Sequence, residues 1–421
     1  MQSIALGGVA DQTGMRPVGL AYSRNGIGYA AWTTPKTDTE DVSFAVVRPG
    51  QRETNAVTER AATLVGGPTA TGASAVVLVS HLSRPVTSDS GRTDLAFWQL
   101  GSDSSVQRKV QIPIPAGWTV GHASMASSAG RAIAAWVELR RGAGDDASFR
   151  ARLRTARLER DGELHGVRTM QASSGVPDPL DANVAAAASG GRVLIAADSL
   201  EDRGSHRGIV GWVGSFDTIG DRPIAVAKSH SSVLSAVVTS RGVPVIAWAA
   251  QHAGEEADGP WTVRVARLTQ RSATTAQLDR GTSRRFPASE RLDLLAVSGG
   301  RAVLVWNGVR TKGDPVFVAT SDADGRFGSA ANVVDSGRLT GTAASARGEL
   351  AVTVMPMTKP GAPVLLVRRT SAKRFLPALT VPLRVTQPLV PAFDSANNAT
   401  LATTSGERRA RGLTLAHRFS R

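Results

Sequence analysis

Seven side chains in this sequence have the types and positions that a binding or catalytic site would need. Imidazole is suited to proton transfer near neutral pH and to metal binding, carboxylates share both roles, and indole rings stack on ligands. The candidates follow short apolar segments or stand in a Gly- and Pro-containing loop, and they are His81, Trp118, His122, Glu138, Asp198, His252 and Asn307. The three histidines, together with Glu138 or Asp198, could form a metal or acid–base site.

The spacing of these residues does not support a metal site. A metalloprotease-type helix places two histidines around a glutamate as His-Glu-x-x-His, and the sequence contains no such spacing. The simpler interpretation is that the candidates are solvated loop residues in different structural units. We therefore assign no catalytic residue, no metal ligand and no cofactor, and we keep the seven residues as candidates for ligand binding.

An internal repeat supplies the elements that would position these residues. A short apolar strand, a Ser/Gly turn and a second apolar strand recur eight times, as in LAYSRNGIGYAAW and AVSGGRAVLVW. The turn residues are Gly26, Gly72, Gly130, Gly191, Gly242, Gly300, Gly348 and Asn398, at spacings between 46 and 61 residues. Glycine tolerates the positive φ of a tight hairpin turn, and asparagine adopts it more readily than most residues. The repeat therefore predicts one β-hairpin per unit.

Each unit continues into a third strand and a weaker fourth strand, and four strands per unit are typical of a β-propeller blade. Four units place tryptophan six residues after the turn, at Trp32, Trp136, Trp248 and Trp306. Regular recurrence inside an apolar strand favours packing between blades over a ring of ligand-stacking side chains.

The two ends of the chain bear on how the repeat closes. The 25 residues before Gly26 and the 23 after Asn398 together amount to one repeat length. We therefore predict an all-β, closed β-propeller of eight four-stranded blades, with the N-terminal strand completing the last blade; seven blades with an appendage is the alternative. Residues 1–421 would form a single domain with repeats at approximately 17–60, 61–115, 116–180, 181–228, 229–287, 288–337, 338–385, and 386–421 plus 1–16.

Two motifs of the repeat match a known class of propeller. Hairpins such as GRAIAAW end in Ala-Trp, and the segment TSDADGRFGSA follows a third strand. The chain thereby resembles bacterial β-propeller proteins of the sialidase-like type, whose Asp-box reads Ser-x-Asp-x-Gly-x-x-aromatic; here the Asp position holds Ala323, so the motif is degenerate. The resemblance implies the fold. A sialidase also needs a tyrosine nucleophile late in the chain, whereas the two tyrosines are Tyr22 and Tyr29.

Composition limits the remaining function classes. The chain has no cysteine, which excludes disulfide frameworks, thiol nucleophiles and cysteine-ligated metals. No apolar run approaches the roughly 18 residues of a membrane helix, so we predict no transmembrane segment. The opening residues MQSIALGGVADQTG lack the pattern of a signal peptide. We expect an extracellular or cell-surface protein whose leader is absent from this chain, with a cytoplasmic location as the alternative.

The basic character of the chain suggests one further partner. The net charge is +14, and Arg150, Arg152 and Arg154 alternate along one predicted strand toward one face. Such a surface could bind a polyanion, although an Arg-rich, Lys-poor composition is also typical of high-GC bacterial genomes.

Our leading hypothesis is a monomeric, non-enzymatic binding propeller that presents a charged loop face to a protein or glycan. The alternatives are a glycan-active hydrolase or lyase with its site at the channel mouth, and a polyanion-binding protein.

Overall fold

The computed structural model describes most of the chain in segments separated by gaps. The described residues are 3–6, 18–23, 25–35, 40–48, 53–54, 56–70, 74–81, 94–141, 149–176, 182–200, 208–228, 231, 233–251, 261–280, 291–308, 314–356, 365–370, 374–381, 390–394, 398–407 and 410–419. His252 lies outside these segments, as does the predicted turn residue Gly72. No helix in the described segments is long and apolar enough to cross a membrane.

The described strands form eight sheets, numbered here along the chain. The first strand, β1 (Ser3–Leu6), belongs to the last sheet. Sheet 1 contains β2 (Val18–Tyr22), β3 (Gly28–Pro35), β4 (Glu40–Val47) and β6 (Val57–Glu59), while the intervening β5 (Glu53–Thr54) also joins the last sheet. Sheet 2 contains β7 (Ala62–Ala70), β8 (Ala75–His81), β9 (Leu95–Leu100) and β10 (Val106–Ile112).

Sheets 3 to 5 follow the same four-strand order. Sheet 3 contains β11 (Thr119–Ser128), β12 (Arg131–Arg141), β13 (Phe149–Leu158) and β14 (Leu164–Val176). Sheet 4 contains β15 (Val184–Ser189), β16 (Arg192–Asp198), β17 (Ile209–Ser215) and β18 (Ile224–Ala227). Sheet 5 contains β19 (Val233–Val238), β20 (Pro244–Gln251), β21 (Trp261–Leu268) and β22 (Ala273–Arg280).

The remaining sheets complete the described fold. Sheet 6 contains β23 (Leu292–Val297), β24 (Arg301–Asn307), β25 (Val316–Thr320) and β26 (Ala331–Val334), with a 3-10 turn at Ser298–Gly300. Sheet 7 contains β27 (Arg338–Ala344), β28 (Leu350–Met355), β29 (Leu365–Arg369) and β30 (Leu379–Thr380). Sheet 8 has five strands in the order β31 (Val390–Phe393), β32 (Ala399–Glu407), β33 (Ala410–Phe419), β1 and β5.

Seven four-stranded blades confirm the predicted all-β propeller, and sheet 8 combines strands from both ends of the chain. In that sheet β1 pairs antiparallel with β33, with Ile4 opposite Leu415, and pairs parallel with β5. The predicted count of eight four-stranded blades and the closure of the ring stay predictions.

The hairpin turns have the predicted backbone geometry. The predicted turn glycines within the described segments have φ between 75° and 85°, and they are Gly26, Gly130, Gly191, Gly242, Gly300 and Gly348. A side chain at such a position would bring Cβ too close to the backbone, which is why glycine recurs there. The turns fix the pairing of first and second strands, for example Ser189 opposite Arg192.

Burial is greatest in the second strands and falls toward the fourth strand at the outer edge. The second strand β8 is buried at six successive positions, whereas the fourth strand β10 alternates between half-buried and exposed residues over most of its length. Strands packed on both faces read as continuous apolar runs, and strands with one free face alternate. The register residues Trp136, Trp248 and Trp306 are fully buried, which confirms their interpretation as core residues.

The core consists of layers between neighbouring sheets. Separate apolar clusters fill the spaces between sheets 1 and 2, 2 and 3, 3 and 4, 4 and 5, 5 and 6, and 6 and 7. A further cluster, Ala30, Trp32, Ala45 and Val47, covers the other face of sheet 1. Sheets 1 to 6 thus have apolar clusters on both faces within the described segments.

The inner strands succeed one another around the molecule. The contacting pairs of first strands are β2 with β7, β7 with β11, β11 with β15, β15 with β19, β19 with β23, β23 with β27, β27 with β31, and β31 with β2. Tyr22 of sheet 1 donates a hydrogen bond from its hydroxyl to Thr400 Oγ1 of sheet 8 at 3.2 Å.

The two ends of the sheets carry different connections. In sheet 3, Thr119 pairs with Leu139 at one end and Ser128 with Arg131 at the other. We call the first end the loop face, because it carries the connections from second to third strands and from fourth to first strands, such as 113–118. The opposite end is the turn face, with the hairpin turns at 190–191 and the third-to-fourth turns at 159–163, 216–223 and 269–272.

Candidate functional site

A buried carboxylate organises the loop-face end of sheet 3. Glu138 in β12 is completely buried, and its Oε1 accepts hydrogen bonds from Trp136 Nε1 at 2.8 Å and from Arg154 Nη1 at 3.1 Å. Its Oε2 accepts a hydrogen bond from Arg152 Nε at 2.5 Å. The two arginines alternate with buried residues along β13, so both reach the same face of the sheet. Two arginines of the predicted row, Arg152 and Arg154, therefore bind the buried carboxylate of Glu138.

Arg152 also contacts a tryptophan at the surface. The Arg152 guanidinium lies over the Trp118 ring, 3.9 Å from its centre, in a cation–π contact. Trp118 is half-buried at the end of the connection from sheet 2 to sheet 3, and its backbone N–H donates to Pro115 O at 3.1 Å. We call Trp118, Arg152 and Glu138 the Trp118 platform. His122 is exposed nearby in β11, where the register shifts between Val120 and Ala123.

A histidine–aspartate pair lies on the loop face of sheet 2. His81 ends β8, and Asp94 stands opposite it immediately before β9. The distance between His81 Nδ1 and Asp94 Oδ2 is 3.1 Å, and both side chains are about one-third exposed. Asp94 Oδ1 also accepts the His81 backbone N–H, and the imidazole lies 5.3 Å from the Trp98 ring centre. A carboxylate in this position orients an imidazole ring.

Asp198 connects two sheets through its buried carboxylate. It ends β16 in sheet 4 and is 2% exposed. Its Oδ1 accepts the backbone N–H of Ser231, which precedes sheet 5, at 2.8 Å, and its Oδ2 accepts that of Asn183 at 2.8 Å. Because backbone donors surround this carboxylate, the geometry gives it a structural role.

Asn307 has a comparable role between sheets 6 and 7. It is completely buried, and its Oδ1 accepts the backbone N–H of Leu339 in the inner strand of sheet 7 at 2.8 Å. Thr33 uses its hydroxyl in the same way, accepting the N–H of Leu64 in the inner strand of sheet 2 at 3.0 Å. Thr33, Asp198 and Asn307 each follow the register position of their repeat by one residue. A polar residue at this position links a sheet to the next one.

The structure thus brings some of the candidate residues together and separates others. Trp118 and Glu138 share one cluster and His122 is on the same strand pair, whereas His81, Asp198 and Asn307 lie in three other sheets. Among the described residues no group of three or more His, Asp or Glu side chains could hold a metal ion.

Sequence reasoning missed the partners of these residues. Asp94 is the residue opposite His81 once β8 and β9 pair, so strand register could have found it. The contact between Arg152 and Trp118 joins a strand to a loop of the preceding connection, and no spacing in the sequence indicates it.

Arginines on the turn face bond to backbone carbonyls of the neighbouring sheet. Their acceptors lie in the turns, and the pairs include Arg48 Nη2 to Ser102 O at 2.9 Å, Arg108 Nη1 to Asp161 O at 2.7 Å, Arg192 Nη1 to Gly242 O at 2.9 Å, Arg267 Nη1 to Asp324 O at 3.2 Å, and Arg157 Nη1 to Phe216 O. A guanidinium satisfied by a neutral carbonyl does not require a carboxylate. This use of arginine contributes to the positive net charge.

One turn-face arginine is paired with two carboxylates. Arg131 donates to both carboxylate oxygens of Asp217, at 2.6 and 3.1 Å, and to Glu159 Oε1 at 2.6 Å. The hydrogen bond from Arg131 holds the pKa of the Asp217 carboxyl below its ordinary value, and the same bonds raise the pKa of Arg131. The guanidinium of Arg131 is thereby fully engaged.

A cleft opens on the turn face next to this ion pair. Its volume is about 720 Å³, and its walls come from sheets 3, 4 and 5. Arg131 and Asp217 form one side, and the hairpin Gly190, Gly191 and Arg192 forms another. The remaining walls are the connection between β17 and β18 in sheet 4 and the turn of sheet 5 that contains Arg271.

Comparison with known proteins places the chain by its fold alone. No family model matches it, and no curated protein is similar in sequence. Similar solved structures include the β-propeller domain of the Trilobed protease from Pyrococcus furiosus, with 6% identity, a TM-score of 0.46, and coverage of 90% of this chain and 98% of that one. The Trypanosoma rangeli sialidase has 9% identity and a TM-score of 0.42, over 99% of this chain and 58% of the sialidase.

Prolyl oligopeptidase B from Galerina marginata is similar at 9% identity and a TM-score of 0.46, over 92% of this chain and 55% of the oligopeptidase. The chain therefore spans little more than half the length of the sialidase and the oligopeptidase. Solved relatives in fold include a sialidase and other β-propellers, as the sequence resemblance predicts; the likeness concerns the fold alone.

Proposed function

We propose that this β-propeller is a non-enzymatic binding module that presents its loop face to a protein or glycan ligand. The observation that supports this proposal is the Trp118 platform. Its indole ring is half-buried in a surface connection, and a guanidinium held by a buried carboxylate fixes it there. A preorganised aromatic surface loses little conformational entropy when a ligand binds.

The environment of Glu138 favours binding over proton transfer. A general acid or base must come within hydrogen-bond reach of the substrate atom that gains or loses the proton. Glu138 is fully buried, and both of its oxygens already accept hydrogen bonds from protein groups. Its role in the proposed site is to position Arg152.

The chemistry of the platform suggests the kind of contact it makes. An indole ring offers a flat apolar face to a sugar ring or an aromatic side chain, and its N–H group is a hydrogen-bond donor to oxygen acceptors. These are the contacts that both a glycan and a protein surface can provide.

The experiment is a panel of immobilised neutral and acidic oligosaccharides and peptides, probed with the wild type and with Trp118→Ala. We expect the variant to bind the retained probe about tenfold more weakly or worse, because aromatic anchors dominate binding energies. Arg347→Gln, an exposed turn-face substitution, is the control and should bind like the wild type. Unchanged binding by Trp118→Ala would contradict the proposal.

A second candidate, a glycan-active hydrolase or lyase, is favoured by the His81–Asp94 pair. A histidine next to a carboxylate, partly exposed on the loop face, has the geometry of a general acid or base. The same oligosaccharides, analysed by mass spectrometry after incubation, distinguish the two functions. Cleavage by the wild type that His81→Ala abolishes would establish the enzyme; intact oligosaccharides are expected if the protein only binds.

We also propose that residues 1–421 form a single, monomeric domain, an eight-bladed propeller closed between sheets 8 and 1. The succession of inner strands that returns from β31 to β2 and the Tyr22–Thr400 hydrogen bond support this arrangement. Full closure leaves no exposed first or last blade. An experimental density map should contain eight sheets in a closed ring; seven blades with residues 390–419 packed elsewhere would contradict it.

A further inference from the structure

We propose that the turn-face cleft binds a small hydroxylated molecule that carries a phosphate or sulfate group. The cleft lies at the opposite end of the sheets from the Trp118 platform, so this site is distinct from the one proposed above. Its volume of about 720 Å³ is in the range of small-molecule sites, roughly 300–1,000 Å³. Three arginines and one aspartate line it, so its walls are net positive.

Two of the three arginines have donors available for a ligand. Arg131 already binds the carboxylates of Glu159 and Asp217, so it forms a wall of the cleft and is not counted as a ligand-binding group. Arg192 is exposed and uses one Nη1 donor for Gly242 O, at 2.9 Å. The exposed Arg271 guanidinium has no hydrogen-bond or ion-pair partner among the described residues. Guanidinium forks match the oxygens of phosphate and sulfate, which they bind by two parallel hydrogen bonds.

The rest of the lining is suited to a hydroxylated body. Ser215, Thr218 and Gln270 contribute hydroxyl and amide groups. At Gly190 and Gly191 an added Cβ would meet no atom within 4 Å, so this wall is open and a ligand can approach the backbone there. Few large apolar side chains line the cleft, which favours a polar ligand such as a sugar phosphate or sugar sulfate over an apolar one.

Isothermal titration calorimetry with glucose 6-phosphate, glucose 6-sulfate, glucose and heparin tests the proposal. We expect both charged sugars to bind with a Kd near or below about 1 mM and glucose not to bind measurably. The charged sugar that binds more tightly identifies the oxyanion. Affinity should fall as salt concentration rises, because the contacts are between exposed charges.

Two variants locate the site. Arg271→Gln removes a side chain without a described partner, so it should keep the thermal midpoint of the wild type and weaken binding about tenfold. Arg347→Gln removes an exposed arginine on the same face outside the cleft and should bind like the wild type.

Four results would overturn the proposal: no binding of either charged sugar, equal binding of glucose, equal weakening by Arg271→Gln and Arg347→Gln, or binding of heparin alone. The last two would indicate a diffuse basic surface for polyanions. Trp118→Ala should leave the calorimetric result unchanged, so the two proposed sites can fail independently.

Discussion

At the scale of single residues, the most informative group is the buried carboxylate of Glu138. The sequence indicates a carboxylate near the end of a strand, where a ligand could reach it. It does not indicate that two arginines from the neighbouring strand and a tryptophan of its own strand surround it. The identity of a residue and its position in the repeat predict its location, whereas its partners depend on side-chain directions that only the folded structure fixes.

Replacing Glu138 with glutamine should destabilise the protein. The substitution leaves the half-buried guanidiniums of Arg152 and Arg154 without their counter-charge, and removing one partner of a buried ion pair costs about 3–5 kcal/mol. We expect a loss of about 3 kcal/mol in the free energy of unfolding, measured by urea denaturation. Glu163→Gln is the control, because Glu163 pairs with Arg108 at the surface and should cost less than about 1 kcal/mol. Equal effects would contradict the structural role of Glu138.

At the scale of elements, the hairpin repeat is the part of the fold that sequence predicts best. Glycine at the turns and continuous apolar runs in the second strands each meet a local physical requirement. The sequence pattern therefore predicts both the turns and the strands. The weak fourth strands were harder to anticipate: β5 and β6 are both short, and only β6 pairs within sheet 1, because β5 joins the N-terminal strand. Pairing with a strand distant in sequence has no local signal.

Links between sheets provide a prediction at this scale. Asn307→Ala should lower the free energy of unfolding by about 2 kcal/mol, because it leaves the buried Leu339 N–H and Gly337 carbonyl without their partner. Asn332→Ala is the control, since Asn332 is exposed and bonds only Asp335 within the described segments; we expect a change within about 0.5 kcal/mol. Thermal and urea unfolding measure both. Similar values for the two variants would show that the inter-sheet bond contributes nothing.

At the scale of the whole molecule, the structure suggests an explanation for the positive net charge. Composition alone gives +14 and leaves two explanations, genome composition, which it favours, and a polyanion ligand. The turn-face arginines add a third explanation, because Arg192 and Arg267 bond to carbonyls of the next sheet, and a carbonyl acceptor contributes no negative charge. Their recurrence depends on the packing of neighbouring sheets, which no single repeat reveals.

The contact between sheets 8 and 1 gives a prediction for pH. Burial raises the pKa of Tyr22 above 10.0, and burial also raises the pKa of Tyr29. Because the folded state favours the protonated phenols, their contribution to stability is complete below pH 10.0 and is lost as pH rises through the raised values. The two residues are the only tyrosines, so phenolate absorbance of the folded protein should develop above pH 10.0.

Urea-unfolded protein, titrated in parallel, should show both phenols ionising near their ordinary pKa of 10.0. Tyr22→Phe should leave a single step from Tyr29 and should lower the thermal midpoint, because the hydrogen bond to Thr400 is lost. If the step that Tyr22→Phe removes from the folded protein's titration lies at or below pH 10.0, Tyr22 is not enclosed between the sheets.

Hydrogen exchange of the protein with and without the probe retained by the binding panel tests the proposed loop-face function most directly. We predict that ligand slows amide exchange in peptides covering 113–123 and 149–155, which contain Trp118 and Arg152 of the Trp118 platform. Peptides covering 189–192 and 269–272, on the turn face, should exchange at the same rate in both samples. Protection confined to the turn face, or spread evenly over both faces, would contradict binding at the loop face.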